Sequence, residues 1–319
     1  MDGLRTLNYL LATATALVVT LCLGGVLSDR LDILNHFMPL YGVAALAAGA
    51  ASLALGPQRA RATRILAVYA LLVAGCFVLP EFAARFWSRT ATPAHQTVKV
   101  IQFNLWGHNR DPQATAAWVI AQKPDVVVAE EAIDKGAAAA ATLGAAFPYH
   151  VDCPVFLECT TLIFSKSAPQ SSGALESPDS FGRHSTVWAR FGRGQSAYAV
   201  AGVHILWPIP GGAQQAHLRS IAAGLSGLDH ASLILAGDFN ATPWSFSLAR
   251  VQSLFGVERR SHALFSWPVK PYSGYRVDTP TALLPLDHVF AGPSWKTVSA
   301  GLGPRLGSAH LPVVVVLTR

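Results

Sequence analysis

Charged residues are scarce in this sequence. Asp, Glu, Lys and Arg together make up 13% of the 319 residues, whereas hydrophobic residues make up 51%. Soluble domains carry about 25% charged residues, so the shortage argues against a wholly soluble chain and indicates membrane-spanning segments.

The chain also lacks a Lys- or Arg-rich run with interleaved aromatic residues, which is the usual footprint of a nucleic-acid-binding surface. Its net charge of +6 is divided evenly, because residues 1–89 hold 7 basic and 4 acidic residues and residues 90–319 hold 17 and 14. The C-terminal part is therefore only weakly positive, and nucleic acid is a permitted partner but not the favoured one.

Several motifs are missing as well. The sequence contains no P-loop, no GxGxxG and no HExxH, which argues against the nucleotide-binding and zinc-protease classes that these motifs identify. It has no internal repeat and no Ser or Cys nucleophile motif. Of four cysteines, Cys22 and Cys76 lie in apolar runs, which favours packing roles. Cys153 and Cys159 flank a short loop, so they either form a small disulfide in an oxidising compartment or remain unpaired.

Long apolar runs are confined to the N-terminal part. Leu7–Leu27 is an uncharged run of 21 residues, and Phe37–Leu55 is a second run of 19 interrupted by Pro39. Ile65–Leu79 is shorter and reaches spanning length if it continues to Ala84. Since a transmembrane helix needs about 20 apolar residues, we predict about three spans. The alternative for the first run is a cleaved signal peptide, for which it is longer than usual.

The loops between these runs predict an orientation. The segment 56–64 contains three arginines and no acidic residue, and the positive-inside rule assigns such a loop to the cytoplasm. Three spans then export everything after about residue 90. Arg85 and Arg89 argue against this orientation, and the following domain stays cytoplasmic if the third run does not span.

The remaining sequence predicts a mixed α/β domain. We expect a membrane domain over 1–89, a linker over 90–97 and a second domain over 98–319. Apolar strands alternate with helices, which indicates an α/β sandwich. The predicted strands are Val98–Asn104, Val126–Glu130, Thr160–Ser165, Val187–Phe191, Tyr198–His204, Ser232–Ala236 and Val313–Leu317, with a further one at Val289; helices are expected from Asp111-Pro112 to about Gln122, over Gly136–Gly144 and over Gln214–Leu225.

Polar residues stand at the ends of these apolar strands. Sites gather at strand ends because the sheet holds side chains rigidly while loops admit a substrate. Carboxylate and amide oxygens suit Mg²⁺, and histidines suit proton transfer and charge stabilisation. The set predicts metal-assisted attack of water on a phosphate ester. Its members are Asn104, Glu130, Glu131, His204, Asp238, Asn240, Asp287 and His310.

The motifs that hold these residues resemble a known superfamily. FNLW (103–106), PDVVVAEE (124–131), VH (203–204), GDFNATPWS (237–245), LDHVF (286–290) and SAHLP (308–312) follow one another as in the endonuclease/exonuclease/phosphatase superfamily. That superfamily includes DNase I-like nucleases, abasic-site endonucleases, inositol-phosphate phosphatases and neutral sphingomyelinases. The resemblance implies a four-layered, DNase I-like α/β sandwich over about 98–319, preceded by transmembrane helices.

The N-terminal part resembles a bacterial branch of this superfamily, one member group of which acts on undecaprenyl pyrophosphate. This implies a multi-pass protein of the bacterial cytoplasmic (inner) membrane whose catalytic domain faces the periplasm or cell exterior. The expected substrate is a phosphorylated small molecule or a lipid-linked (pyro)phosphate. The alternatives are a nuclease of the same fold and a binding protein whose catalytic site has decayed.

The resemblance also implies catalytic roles. His204 matches the histidine that contacts the scissile phosphate, and Asp238 matches the acid that orients or deprotonates the attacking water. Asn240 corresponds to the partner of that acid. His310 matches the paired histidine at the phosphate, and Asp287 the acid that orients it.

A metal site is implied beside them. Asn104 and Glu131 match the metal-side residues, with Mg²⁺ expected and Mn²⁺ possible, whereas Glu130 stands where the family has Gln. The family usually has Asp at the position of Ala309, where it often helps to bind metal. Its loss implies weaker metal affinity, a single-metal site, or a substitute such as Asp278 or water.

Overall fold

The computed structural model describes residues 2–55, 60–88, 90–153, 159–178, 184–269 and 279–319. The chain forms two compact units. The N-terminal unit comprises Met1–Trp87 and two later segments, Pro208–Gly212 and Ala241–Ala249. The second unit comprises Ser88–Trp207, Ala213–Asn240 and Arg250–Arg319. Both short segments lie within the range that the sequence assigns to the C-terminal domain.

The N-terminal unit is helical. Its helices are α1 (Asp2–Leu23), α2 (Asp29–Asn35), α3 (Met38–Ala54) and α4 (Ala60–Trp87), with a 3₁₀ turn at Gly24–Val26. Among the described residues, α1 and α4 are long and apolar enough to cross a membrane, and α2 and α3 form a pair bent by 56° that could count as a third span. The third apolar run of the sequence, Ile65–Leu79, lies in α4, and this helix continues past Glu81, which gives the run the length needed to span. The second run, Phe37–Leu55, corresponds to α3, which reaches spanning length only together with α2.

Small residues line the contacts between these helices. A Cβ placed on Gly42 would lie 3.5 Å from the Cβ of Ala74, and one on Gly49 would lie 3.5 Å from that of Ala67. Large apolar side chains such as Leu72 are exposed. Close backbone approach through Gly and Ala, with Leu and Val pointing outward, is how helices pack in lipid.

The second unit contains the predicted helices and strands. The helices are α5 (Pro112–Ala121), α6 (Asp134–Ala146), α7 (Ala213–Gly224) and α8 (Phe246–Phe255), the last of which begins in the segment 241–249. The strands are β1 (Thr97–Asn104), β2 (Val126–Glu130), β3 (Tyr149–Val151), β4 (Leu162–Ser165), β5 (Ser171–Leu175), β6 (Thr186–Phe191), β7 (Tyr198–His204), β8 (Leu233–Asp238), β9 (Glu258–Arg259), β10 (Asp287–Ala291), β11 (Lys296–Leu302) and β12 (Val313–Thr318).

Local sequence explains where these elements begin and why some were not predicted. At α5, the Asp111 side chain accepts a hydrogen bond from Ala114 N at 2.9 Å and Pro112 follows at the first helical position, which is the expected start of a helix.

The strands β3, β5, β9 and β11 were not predicted. They are short or partly exposed, so they lack the continuous apolar pattern of a buried strand. Helix α8 was also not predicted.

In the part of the chain that the structure describes, the strands form two six-stranded mixed sheets. The first has the order β11-β12-β1-β2-β4-β3 and the second β5-β6-β7-β8-β10-β9. Each contains one parallel pair joined by a helix: α5 connects β1 to β2, and α7 connects β7 to β8. The inner faces of the sheets share one apolar core that includes Val100, Val128, Val200 and Val289. A second core packs α5 and α6 against the other face of the first sheet, which confirms the predicted α/β sandwich.

The structure also pairs two cysteines. Cys153 and Cys159 form a disulfide with a Cα–Cα distance of 5.4 Å, while Cys22 and Cys76 are free. The pairing agrees with the disulfide alternative for this loop.

Candidate active site

The two parallel pairs bring polar strand ends to one edge of the sandwich. In the second sheet, His204 at the end of β7 pairs in register with Asp238 at the end of β8, and Asp238 pairs with Asp287 at the start of β10. In the first sheet, Asn104 pairs in register with Glu130. Gln102 in the first sheet and Asp287 in the second, which are 185 residues apart in the sequence, are therefore in direct contact.

His310 and Asp287 form a buried pair. His310 Nδ1 lies 2.9 Å from Asp287 Oδ2, which leaves Nε2 available for another partner. Burial would lower the pKa of His310, but the carboxylates of Asp287, Asp238 and Glu131 outweigh it and raise the pKa to about 9. The same contact keeps the pKa of Asp287 below its ordinary value despite its burial. An ionised acid therefore orients a protonated imidazole.

Asp238 lies between two histidines. Its Oδ2 is 3.9 Å from His204 Nε2 and 3.9 Å from His310 Nε2. Burial and the charge of Asp287 raise the pKa of Asp238 to about 7, although His310 acts in the opposite direction. A carboxyl group with a pKa near neutrality is suited to accept a proton from water at physiological pH.

Asn104 joins two carboxylates. Its Nδ2 donates to Asp238 Oδ2 at 3.1 Å and to Glu131 Oε1 at 3.0 Å, while its Oδ1 accepts from Trp106 N. Burial raises the pKa of Glu131, but His204, His310 and hydrogen bonds from Asn104 and Gly107 N lower it below its ordinary value. Glu131 is thus an ionised carboxylate at the rim of the buried cluster.

These residues fit a hard cation. Carboxylate and amide oxygens are the ligands that Mg²⁺ and Mn²⁺ take. Glu131 supplies a carboxylate, and Asn104 supplies an amide oxygen once its side chain rotates, since its Nδ2 faces Glu131 and its Oδ1 accepts from Trp106 N. Among the described residues, the ligand atoms of Asp238, Asp287 and His310 lie within 4.8 Å of one another and could also hold a metal ion. Ala309 is buried beside them and offers no side-chain ligand. The alternative ligand Asp278 lies outside the described residues.

The loop after β8 is held in a rare backbone conformation. Asn240 in this loop has φ +47°, and Glu131, directly after β2, has φ +49°. Both values lie in the left-handed region, which non-glycine residues seldom occupy unless their surroundings impose it. Asn240 Nδ2 donates to Ile205 O at 2.9 Å, and its backbone N–H donates to Asp238 Oδ1 at 2.9 Å. Gln214 Nε2 donates to the carbonyl of Asn240 at 3.2 Å.

All seven predicted site residues thus lie in one connected cluster, and the structure adds residues that the sequence did not single out. Gln102 Nε2 donates to Glu130 Oε2 at 2.9 Å and to Asp287 Oδ1 at 2.8 Å. Burial and the charges of Asp287 and Asp238 raise the pKa of Glu130 well above its ordinary value. Gln102 stands two residues before Asn104, so strand alternation would have placed both on one face.

Further polar contacts fix the C-terminal histidine. The Ser308 hydroxyl donates to Asn104 O at 2.7 Å and accepts from His310 N at 3.0 Å. Ser308 was not predicted as a site residue, because a serine before a strand carries no distinctive signal. His288 is buried, with its ring 5.8 Å from that of Phe239.

Aromatic residues flank the cluster. The rings of His184 and His204 lie 4.7 Å apart. The ring of Trp267 is 6.4 Å from that of His310, and the half-exposed Trp207 packs against Trp267 with ring centroids 6.1 Å apart. An apolar surface therefore adjoins the His310 ring.

Comparisons with known proteins agree with this geometry. The sequence profile of the Endonuclease/Exonuclease/phosphatase family matches residues 101–310. No curated protein matches the sequence significantly.

Several solved structures share the fold. Sphingomyelinase C from Streptomyces griseocarneus is 20% identical, with a TM-score of 0.52 over 70% of this chain and 100% of that chain. D. rerio TDP2, complexed with a single-strand DNA product, is 16% identical, with a TM-score of 0.56 over 70% and 100%. A Staphylococcus aureus beta toxin with bound magnesium ions is 14% identical, with a TM-score of 0.53 over 70% and 100%. At these identities the likeness concerns the fold alone, and it confirms the predicted DNase I-like sandwich.

Proposed function

The chain belongs to the Endonuclease/Exonuclease/phosphatase family, and on this premise we propose that it is a membrane-anchored, metal-dependent phosphoesterase that hydrolyses lipid-linked phosphates or pyrophosphates. The observation that carries the proposal is the position of Asp238 Oδ2, which lies 3.9 Å from Nε2 of both His204 and His310. Two imidazole groups thus face one carboxyl group that can accept a proton.

Each side chain has a role in the attack of water on a phosphoryl group. His310, protonated through its pairing with Asp287, and His204 neutralise the charge that develops on the phosphoryl oxygens. Asp238 orients the water and takes its proton, and Asn240 fixes the position of both. The side chains of Asn104 and Glu131 would hold Mg²⁺ or Mn²⁺, which would supply a Lewis acid that polarises the phosphoryl group.

Three features support a lipid-linked substrate. Helices α1 and α4 are long and apolar enough to cross a membrane, which would bring the enzyme to a substrate that does not leave the bilayer. The apolar surface formed by Trp207 and Trp267 beside His310 suits the organic part of such a substrate. The weak positive charge of residues 90–319 gives little attraction to a long polyanion.

The proposed location follows from the loops and the disulfide. We place the protein in the bacterial cytoplasmic membrane as a multi-pass protein, with the catalytic domain on the periplasmic or outer side. The arginine-rich segment 56–64, which extends into the first turns of α4, favours a cytoplasmic position for that end of the helix. The Cys153–Cys159 disulfide favours an oxidising compartment for the catalytic domain.

A substrate panel tests this function. The full chain, purified in lipid nanodiscs with Mg²⁺, is assayed against a polyisoprenyl pyrophosphate, bis(p-nitrophenyl) phosphate, sphingomyelin, and duplex and single-stranded DNA. We expect lipid pyrophosphate hydrolysis that EDTA abolishes and that His310→Ala reduces by about 10²–10³-fold, the usual cost of removing a charge-stabilising donor. Faster cleavage of DNA would establish the nuclease alternative instead. Failure to hydrolyse any phosphoester with Mg²⁺ or Mn²⁺ would establish the decayed binding protein.

Metal titration in the same preparation tests the proposed ligands. Glu131→Gln should weaken Mg²⁺ binding at least about tenfold, because a charged oxygen ligand is lost. Ala309→Asp should strengthen it, because a carboxylate enters where the family usually has one. Unchanged affinity in the Ala309→Asp protein would mean that position 309 lies outside the metal site.

A further inference from the structure

The segment Ala241–Ala249 is part of the N-terminal helical unit, although it follows directly on the site residue Asn240. Buried side chains from α2 and from the turn after it hold this segment in place. The chain therefore passes from the proposed catalytic residues Asp238 and Asn240 into a stretch whose conformation is set by the N-terminal helices.

Asp32, on α2, holds the start of α8. Its Oδ1 accepts from Phe246 N at 2.8 Å and its Oδ2 accepts from Ser247 N at 2.7 Å. Amides in the first turn of a helix have no partner within the helix, so the carboxylate satisfies two of them and complements the helix dipole. Asn35 Nδ2 donates to Asp32 Oδ1 at 2.8 Å, which fixes the carboxylate.

His36 holds the other end of the segment. Its Nδ1 accepts from Thr242 N at 3.3 Å and lies 3.1 Å from the Thr242 hydroxyl, while its carbonyl accepts from Trp244 Nε1 at 3.1 Å. His36 and Thr242 are both buried. Unpairing such groups costs more than breaking an exposed hydrogen bond, because the orphaned donor cannot reach water.

Apolar packing completes the attachment. The ring of Phe246 meets that of Phe77, on α4, edge to face with centroids 5.5 Å apart. A Cβ on Gly25 would come within 3.0 Å of the Phe246 ring, so glycine permits this close approach. Trp244 is buried as well.

We propose that Asp32 and His36 are positioning residues for the catalytic loop, so that the N-terminal helices take part in catalysis as well as anchoring the enzyme. The strained conformation of Asn240 needs support from both directions along the chain. Upstream, β8 and Gln214 hold it, and downstream His36 holds Thr242. The inference rests on the proposed function in one respect, namely that Asp238 and Asn240 act on the attacking water.

The test compares two substitutions of one side chain in the full chain, in nanodiscs, with bis(p-nitrophenyl) phosphate and Mg²⁺. His36→Leu removes the acceptor, whereas His36→Asn keeps an acceptor oxygen near the position of Nδ1. We expect His36→Leu to lower kcat by about tenfold to a hundredfold, the cost of a small misplacement of reacting groups, with KM nearly unchanged. His36→Asn should recover most of kcat.

The matched control is Asn8→Leu, which removes a buried hydrogen bond to Ala48 O within the same helices. It should lower the melting temperature but leave kcat near the wild-type value. Equal loss of kcat in Asn8→Leu and His36→Leu would reduce the role of His36 to general stability and overturn the inference.

Hydrogen exchange separates this inference from the proposed function, since it needs no turnover. The amides of Phe246 and Ser247 should be protected in the wild type and exchange faster in Asp32→Ala, as should that of Thr242 in His36→Leu. Unprotected amides in the wild type would overturn the inference, as would a wild-type kcat in His36→Leu once Thr242 exchanges freely. A wild type that hydrolyses no phosphoester would instead refute the proposed function.

Discussion

The charge state of the active site depends on a few buried residues. Asp287 is fully buried yet ionised, because His310 and the Gln102 amide both bind its carboxylate. Glu130, also bound to Gln102, has its pKa raised well above the ordinary value by burial and by the charges of Asp287 and Asp238. The Gln102 amide thus binds one carboxyl group whose pKa is lowered, that of Asp287, and one whose pKa is raised, that of Glu130. This arrangement limits the negative charge that the interior must hold.

Removal of the Asp287 charge should shift the pH profile. The pKa of His310 is raised from 6.5 to about 9, so the protonated form is lost only as the pH rises through that value. We expect kcat/KM to fall on the alkaline side, and this limb to move to lower pH by at least about one unit in Asp287→Asn. The measurement is a pH–rate profile at fixed, saturating Mg²⁺, because a bound cation itself lowers the pKa of a nearby imidazole.

The control for this profile is Glu258→Gln, which removes an exposed acid paired with Arg260. Its alkaline limb should coincide with that of the wild type. If the alkaline limb of Asp287→Asn coincides with that of the wild type, Asp287 does not set the protonation of His310.

The raised pKa of His310 also stabilises the fold. This contribution is complete below pH 6.5 and is lost as the pH rises through about 9.

At the scale of elements, the site depends on how closely β7 and β8 approach. A Cβ on Gly237 would lie 1.8 Å from the carbonyl oxygen of Val203, its partner in the parallel pair. His204 and Asp238 are the next residues on each strand. Glycine at 237 is therefore required by the packing that brings these two side chains together.

Gly237→Ala should both destabilise the protein and impair activity. We expect a loss of about 1–3 kcal/mol, as for other overpacked interiors, and a lower kcat because β7 must move. Thermal unfolding and kinetics measure the two effects. Gly301→Ala in β11 is the control, since apart from its chain neighbours no described residue comes within 4 Å of a Cβ there. If Gly237→Ala and Gly301→Ala lose the same stability and activity, the close approach of β7 and β8 does not require glycine at position 237.

The elements that form the site were largely predictable. β1, β2, β7, β8 and β12 are apolar runs that end or begin at a polar residue, and this local pattern is sufficient to identify a buried strand. The edge strands were not predictable, because their side chains are half exposed and their pairing depends on a neighbour distant in sequence.

At the scale of the whole molecule, the orientation in the membrane is the decisive prediction. Three spans would export the C-terminus, whereas two would keep it in the cytoplasm. A β-lactamase fused after Arg319 should protect bacteria against ampicillin, because it acts only after export. A green fluorescent protein that matures only in the cytoplasm should be dark at the same position. Fluorescence without resistance would overturn the proposed export of the catalytic domain.

Local sequence was enough to predict the apolar helices, the central strands and the seven polar residues of the candidate site. Each of these is encoded by neighbours within about 20 residues, since hydrophobic runs and strand alternation are local. The pairing of distant residues, in contrast, is visible only in the folded protein. Gln102 meets Asp287 across 185 residues, and His36 meets Thr242 across 206. Such contacts follow from the packing of sheets and helices, which no short stretch of sequence specifies.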